Sequence, residues 1–255
     1  VGYNLWIATP GAVDPATGKQ IWRYDPEIDR SKPHAEIANR GVTSWLDPEA
    51  GADAVCRHRI FVGTLDARLI ALDGATGKPC ADFGDNGQVR LDIGVRADAD
   101  SDWVNYTVTS PPVIVGDVLI VGSAIGDNRA VESELGIVRG IDARSGDERW
   151  RWDPIPRDAD DPAYATWESE EAARNGSANA WAPLAADPVL GLVYVPTGSA
   201  SPDFYGGERK GDNLYANSLV ALHAATGEIA WYRQLVHHDV WDYDLAAQPT
   251  LVELE

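Results

Sequence analysis

The 255-residue chain is predicted to be all-β, and three observations carry that reading. A strand–turn–strand unit recurs four times: DPATGKQIW from Asp14, DGATGKPCA from Asp73, DARSGDERW from Asp142 and HAATGEIAW from His223. Alternating apolar runs surround these units, while helical periodicity is confined to a short stretch, Glu168 to Arg174. The composition agrees, with 24 Gly and ten Trp against three Phe, as a turn-rich chain with a repeated tryptophan role requires. Several short strands per unit, repeated radially, describe a β-propeller.

Each unit has a readable physical logic. A strand such as Arg68–Leu72 or Ser218–Leu222 runs into a turn, where Asp caps the backbone and Gly supplies a positive φ. The chain then returns as a strand whose Trp can pack between neighbouring sheets. Ala81 is the departure, standing where the other three units have Trp22, Trp150 and Trp231. Further strands are expected at Arg59–Thr64, Val113–Ser123 and Leu192–Thr197. Before the first unit, LWIATPGAVD is too short for a full strand–turn–strand, so the first blade is expected to be either trimmed or damaged.

A formal charge of −19 argues against nucleic acid as a partner, because phosphate binding needs a basic surface. No apolar run approaches membrane-spanning length, so membrane association would need other parts of a longer protein. Cys56 and Cys80 leave two readings open, a pair of buried thiols or one disulfide. The absence of Met, with Val1 inside a strand-like run, suggests an internal piece of a longer protein, so a missing targeting segment carries no information.

The stretch with the densest chemistry is WYRQLVHHDVWDYD, Trp231 to Asp244. Apolar rings beside carboxylates suit a site that excludes water and shifts a pKa. Read as a strand, it places His237 and His238 on opposite faces, so they cannot share one metal ion without a bulge. One His is expected to point inward and be hydrogen-bonded. Asp242 is the candidate base; the rival reading makes it a turn cap and Asp244 the buried carboxylate.

Four stretches resemble the quinoprotein dehydrogenases that use pyrroloquinoline quinone (PQQ), especially the glucose dehydrogenase branch. They are RLIALDGATGKPC, YTVTSPPVIVGD, NAWAPLAADP and VHHDVWDYDLAAQP. The resemblance implies an eight-bladed propeller, of which about four blades of four-stranded antiparallel sheet are present as one incomplete domain over residues 1–255. It also implies PQQ and Ca²⁺ as cofactors, and a sugar, polyol or related alcohol as substrate. The electron acceptor would be a quinone or cytochrome, and the location periplasmic. That compartment, and the strand pair the cysteines flank, favour a Cys56–Cys80 disulfide.

The same resemblance implies site residues. Trp181 in NAWAP matches the floor on which the quinone stacks, and Arg40 in NRGV the arginine near its oxygens. Thr109 and Ser110 resemble hydroxyl contacts to the cofactor carboxylates. Asp127 and Asn128 in IGDNR match the calcium segment, with Ser201, or alternatively the position of Ser199, as third ligand. Asp242, after Trp241, stands at the catalytic-base position. His34 and Ala35 replace the adjacent cysteines of the alcohol-oxidising branch, which favours the sugar and polyol branch. In the implied mechanism Ca²⁺ polarises the quinone, Asp242 takes the hydroxyl proton and hydride passes to the quinone. A further cationic residue of the family would lie beyond Glu255, so the fragment alone is expected to be inactive. The competing expectations are a non-catalytic propeller scaffold of the outer-membrane assembly type and an inactive enzyme remnant.

Overall fold

The computed structural model describes residues 9–98, 101–126, 128–168 and 174–253. Three four-stranded antiparallel meanders dominate it. The first strand pair, β1 (Gly11–Val13) and β2 (Gln20–Arg23), stands alone, in keeping with the short segment before the first repeat. The second blade contains β3 (Thr43–Leu46), β4 (His58–Gly63), β5 (Arg68–Asp73) and β6 (Gln88–Arg90). A small pair, β7 (Tyr106–Thr107) and β10 (Ala124–Ile125), brackets the third blade's first hairpin. That blade consists of β8 (Val113–Val115), β9 (Val118–Val121), β11 (Val138–Asp142) and β12 (Glu148–Trp152). The fourth holds β13 (Ala185–Asp187), β14 (Leu192–Pro196), β15 (Ser218–His223) and β16 (Ile229–Gln234). Among the described residues, three complete blades and one strand pair stand where about four blades were expected.

The run Val113–Ser123 becomes a hairpin because Gly116, at φ 63°, turns the chain between Val115 and its partner Val118. The interior of the expected helix, residues 169–173, lies outside the described residues. Successive blades meet along their first strands, β3 beside β8 and β8 beside β13, which is the arrangement of sheets around an axis. Between blades two and three pack Phe61, Leu69, Leu119 and Ile141; between three and four pack Ile120, Val138, Val193 and Val220. Neighbouring residues of β9 thus face opposite cores, which is why VLIV is apolar throughout.

The repeats fasten this stack. Asp14, Asp73 and Asp142 accept backbone N–H groups two and three residues ahead, the turn cap their spacing predicts. At the fourth turn His223 uses only its backbone. Each buried repeat Trp then reaches the next unit's turn. Trp22 Nε1 donates to the Gly74 carbonyl at 2.9 Å, and Trp150 Nε1 to the Ala224 carbonyl at 2.8 Å. The rings lie on glycines: a Cβ on Gly77 would come within 2.6 Å of Trp22, and one on Gly227 within 2.5 Å of Trp150. Trp231 has no such partner among the described residues and remains 43% exposed beside Tyr194.

Where Ala81 replaces the docking Trp, a different clasp joins blades two and three. Buried Arg59 donates to the Cys56 carbonyl, to Asp82 and, across the joint, to the Arg144 carbonyl. Gly84 N–H donates to the Ser145 carbonyl at 2.7 Å. Cys56 and Cys80 form a disulfide with Cα atoms 5.8 Å apart, resolving the two readings of the cysteines. Its sequence separation of 24 residues gives a stabilisation of about 3 kcal/mol by loop-closure entropy. Cys56→Ser with Cys80→Ser should lower the unfolding free energy by about that amount, as read in urea titrations of both proteins.

Candidate functional site

After Gln234 the chain leaves β16 and coils, so the strand expected through Asp244 ends early. The cause is Asp239. Its buried carboxylate accepts the backbone N–H of Trp241 at 3.1 Å and of Tyr243 at 2.7 Å, and the Ser199 hydroxyl at 2.6 Å. Asn217 Nδ2 adds a further donor, and buried Arg209 grips the Asp239 carbonyl. A carboxylate that binds N–H groups two and four residues ahead forbids extended pairing. His238 and Asp242 accordingly adopt positive φ, 46° and 60°. His238 Nδ1 donates to the Gly211 carbonyl, whereas exposed His237 faces Asp212, so the histidines do not converge on an ion.

This turn delivers Asp242 and Asp244 to a cavity of about 360 Å³. Glu36, Arg40, Thr109 and Trp181 line the same space. Four residues expected to act together, Arg40, Thr109, Trp181 and Asp242, are thereby gathered from 203 positions of chain, the span from 40 to 242 inclusive. The Arg40 guanidinium sits 5.0 Å from the centroid of the Trp181 ring, and its backbone N–H donates to the Thr109 carbonyl. Trp181 Nε1 donates to Asp244 Oδ2 at 2.6 Å, and Ser199 N–H donates to Asp244 Oδ1 at 2.6 Å.

The carboxylates have separate tasks. Asp239 is the turn cap, Asp244 is bonded to the nitrogen edge of the Trp181 ring, and Asp242 is exposed at the cavity. The rival reading fails for Asp242, which caps nothing among the described contacts, while Asp244 is half-buried. Partial desolvation against the cavity wall, and after it the neighbouring charges of Asp244 and Asp239, raise the Asp242 carboxyl above its ordinary value.

Other expectations need correction. Ser110 Oγ donates to the Trp181 carbonyl at 2.6 Å, so it holds the floor's backbone instead of facing the cavity. Asn128 is exposed on a turn, and the buried Ser201 hydroxyl is engaged with the Ala130 carbonyl. Asp127 lies outside the described residues. Ser199, the alternative third ligand, spends its hydroxyl on Asp239. The donors expected for calcium thus do not form a set among the described residues. Glu36 is a cavity residue that no local motif marked.

Part of the lining suits a flat, anionic quinone, while Glu36, Asp242 and Asp244 bring three carboxylates to the same cavity. Trp181 offers a fixed ring, Arg40 a positive charge, and the Thr109 hydroxyl is buried with no partner among the described residues. An orphaned buried hydroxyl is costly unless a ligand meets it.

A family profile for "PQQ: Glucose/ethanol/alcohol dehydrogenase, beta-propeller domain" matches residues 4–255. Quinoprotein glucose dehydrogenase A of Acinetobacter calcoaceticus is 36% identical over 271 residues, covering 100% of this chain and 33% of that protein. The glycerol dehydrogenase large subunit of Gluconobacter oxydans (strain 621H) is 38% identical over 244 residues, covering 95% and 32%. Among solved structures, quinohemoprotein alcohol dehydrogenase from Comamonas testosteroni superposes with a TM-score of 0.75 at 30% identity. The superposition covers 96% of this chain and 36% of that one. The chain therefore spans about a third of the length of the curated relatives it matches.

Proposed function

This chain belongs to the glucose/ethanol/alcohol dehydrogenase β-propeller family of PQQ proteins, and from that premise we propose that it forms the PQQ-binding part of a dehydrogenase for sugars, polyols or related alcohols. The observation that carries the reading is the meeting of Arg40, Thr109, Trp181 and Asp242 at one cavity. When bound, PQQ would supply the two-electron acceptor for oxidation of a CH–OH group. Trp181 would be the floor, Arg40 would face the anionic groups, and the Thr109 hydroxyl would give its unused hydrogen bond to a carboxylate.

Among the carboxylates of the turn, Asp242 is the one left to hold the substrate proton. It is exposed to the cavity, and Asp239 and Asp244 are already satisfied by N–H and O–H donors. A carboxylate with a raised pKa is a stronger base than an ordinary one. Calcium enters this proposal through the family resemblance alone, and no step is routed through it; chelation followed by Ca²⁺ or Mg²⁺ re-addition tests the requirement. An oxidising compartment such as the periplasm is supported by the Cys56–Cys80 disulfide. A quinone or cytochrome acceptor is proposed on the same resemblance.

The test is a titration of metal-supplied, full-length apoprotein with PQQ, followed by cofactor absorbance and tryptophan quenching. Saturable one-to-one binding is expected, with Arg40→Ala weakening it about tenfold or more, the scale of one charge-assisted hydrogen bond. Absence of saturable binding by the wild type would overturn the reading.

A further inference from the structure

We infer that Asp244 is a positioning residue that locks the Trp181 ring to the turn carrying Asp242. The inference deepens the cofactor reading above and rests on it for its functional meaning.

Asp244 uses one carboxylate oxygen for Trp181 Nε1–H and the other for Ser199 N–H, both at 2.6 Å. Each is a charge-assisted bond of the stronger kind. The carboxylate is packed tightly on the backbone it serves: a Cβ on Gly198 would come within 2.6 Å of Asp244 Oδ1. Ser199 belongs to the chain that follows β14, and its hydroxyl in turn holds Asp239. Asp239 caps the N–H of Tyr243, the one residue between Asp242 and Asp244. Asn217 Nδ2 closes the circuit through the Tyr243 carbonyl at 3.0 Å.

The second side of the lock is Trp181 itself. The Ser110 hydroxyl holds its carbonyl, Asp244 holds its indole nitrogen, and Arg40 lies over its face. A ring bonded at the nitrogen cannot tilt about its side-chain torsions without breaking a charged hydrogen bond. The distance between floor and base is thus fixed across a single intervening residue. Only a carboxylate performs this task, since both of its neighbours are donors. An amide at position 244 would turn its NH₂ towards one of them, a donor–donor conflict in nearly the same volume.

The test compares wild type, Trp181→Phe, Asp244→Asn and the double variant in the full-length protein. Ultraviolet resonance Raman of the apoprotein reports indole hydrogen bonding, and the wild-type minus Trp181→Phe difference isolates Trp181. A strongly bonded N–H is expected, replaced by a weakly bonded one in Asp244→Asn. A weakly bonded signal already in the wild type, or no change in Asp244→Asn, would overturn the lock. The first of these needs no Asp244 variant, so a misfolded Asp244→Asn does not rescue the inference. PQQ titrations supply the second readout. Each single variant should weaken binding by about tenfold to a hundredfold, the scale of a charged hydrogen bond. The double variant should be little worse than the poorer single one. Additive losses would count against coupling between the two side chains. If the wild type takes up no PQQ, the cofactor reading falls, and the Raman comparison, made without cofactor, judges the lock separately.

Discussion

Asp242→Asn is expected to lower kcat of the full-length enzyme by roughly 10²–10⁴, the usual worth of a general base, while leaving PQQ affinity nearly unchanged. The amide keeps the shape of the turn, because Asp242 caps nothing among the described contacts and its φ of 60° suits Asn at least as well as Asp. What it removes is the one cavity carboxylate of the turn that is free of N–H and O–H donors. The pH dependence follows in sign. Burial, Asp244 and Asp239 raise the Asp242 pKa, so wild-type kcat/KM should climb with pH through a midpoint above that of an ordinary aspartate. In the folded state the proton is held more tightly than in the unfolded chain. Stability from Asp242 is therefore present when it is protonated and is lost as pH rises through the folded pKa. Asp242→Asn should accordingly be no less stable than wild type at pH 7, and any advantage should disappear on acidification. Normal turnover by this variant, with Asp244→Asn inert and PQQ-loaded, would move the base to position 244.

The largest effect on stability is expected from Trp150→Ala, about 3–5 kcal/mol for loss of a buried aromatic side chain. Trp150 is 8% exposed, packs with Val138, Val193 and Val220 between blades three and four, and covers Gly227. Its removal also strips the Ala224 carbonyl of the indole donor. Trp150→Phe should recover most of the packing and lose about 1 kcal/mol for the hydrogen bond. Urea unfolding of the three proteins, monitored by far-ultraviolet circular dichroism, gives the ordering. Equal midpoints for Trp150→Ala and wild type would show that docking does not hold the blades together.

The repeat and its docking were legible because they are local: cap, glycine and tryptophan sit at fixed offsets, and each offset has one physical task. Ala81 was legible as a gap but not in its remedy, since Arg59 and Gly84 act across the joint to the next blade. The turn at Asp239 was misread for a related reason. HHDVWDYD alternates well enough to pass for a strand, and only the folded chain shows Ser199 and Asn217 converging on Asp239. Trp181, Arg40, Thr109 and Asp242 could be named through motif resemblance. Asp244 as partner of Trp181, 63 residues away, and Glu36 as a cavity residue had no local signature. For calcium, a turn signal and a serine say nothing about where side chains point, and here the Ser201 hydroxyl meets the Ala130 carbonyl.

Tryptophan docking also sets a clock on biosynthesis. The ring comes first and its glycine later: Trp22 precedes Gly77 by 55 residues, and Trp150 precedes Gly227 by 77. At a ribosomal rate of about 5–20 residues per second, each ring waits roughly 3–15 s for its acceptor to be made. During that interval a blade presents an uncovered indole and an apolar face to the cell. In both cases the later turn supplies the acceptor that the earlier ring lacked, so neither joint can be completed before that turn has been made.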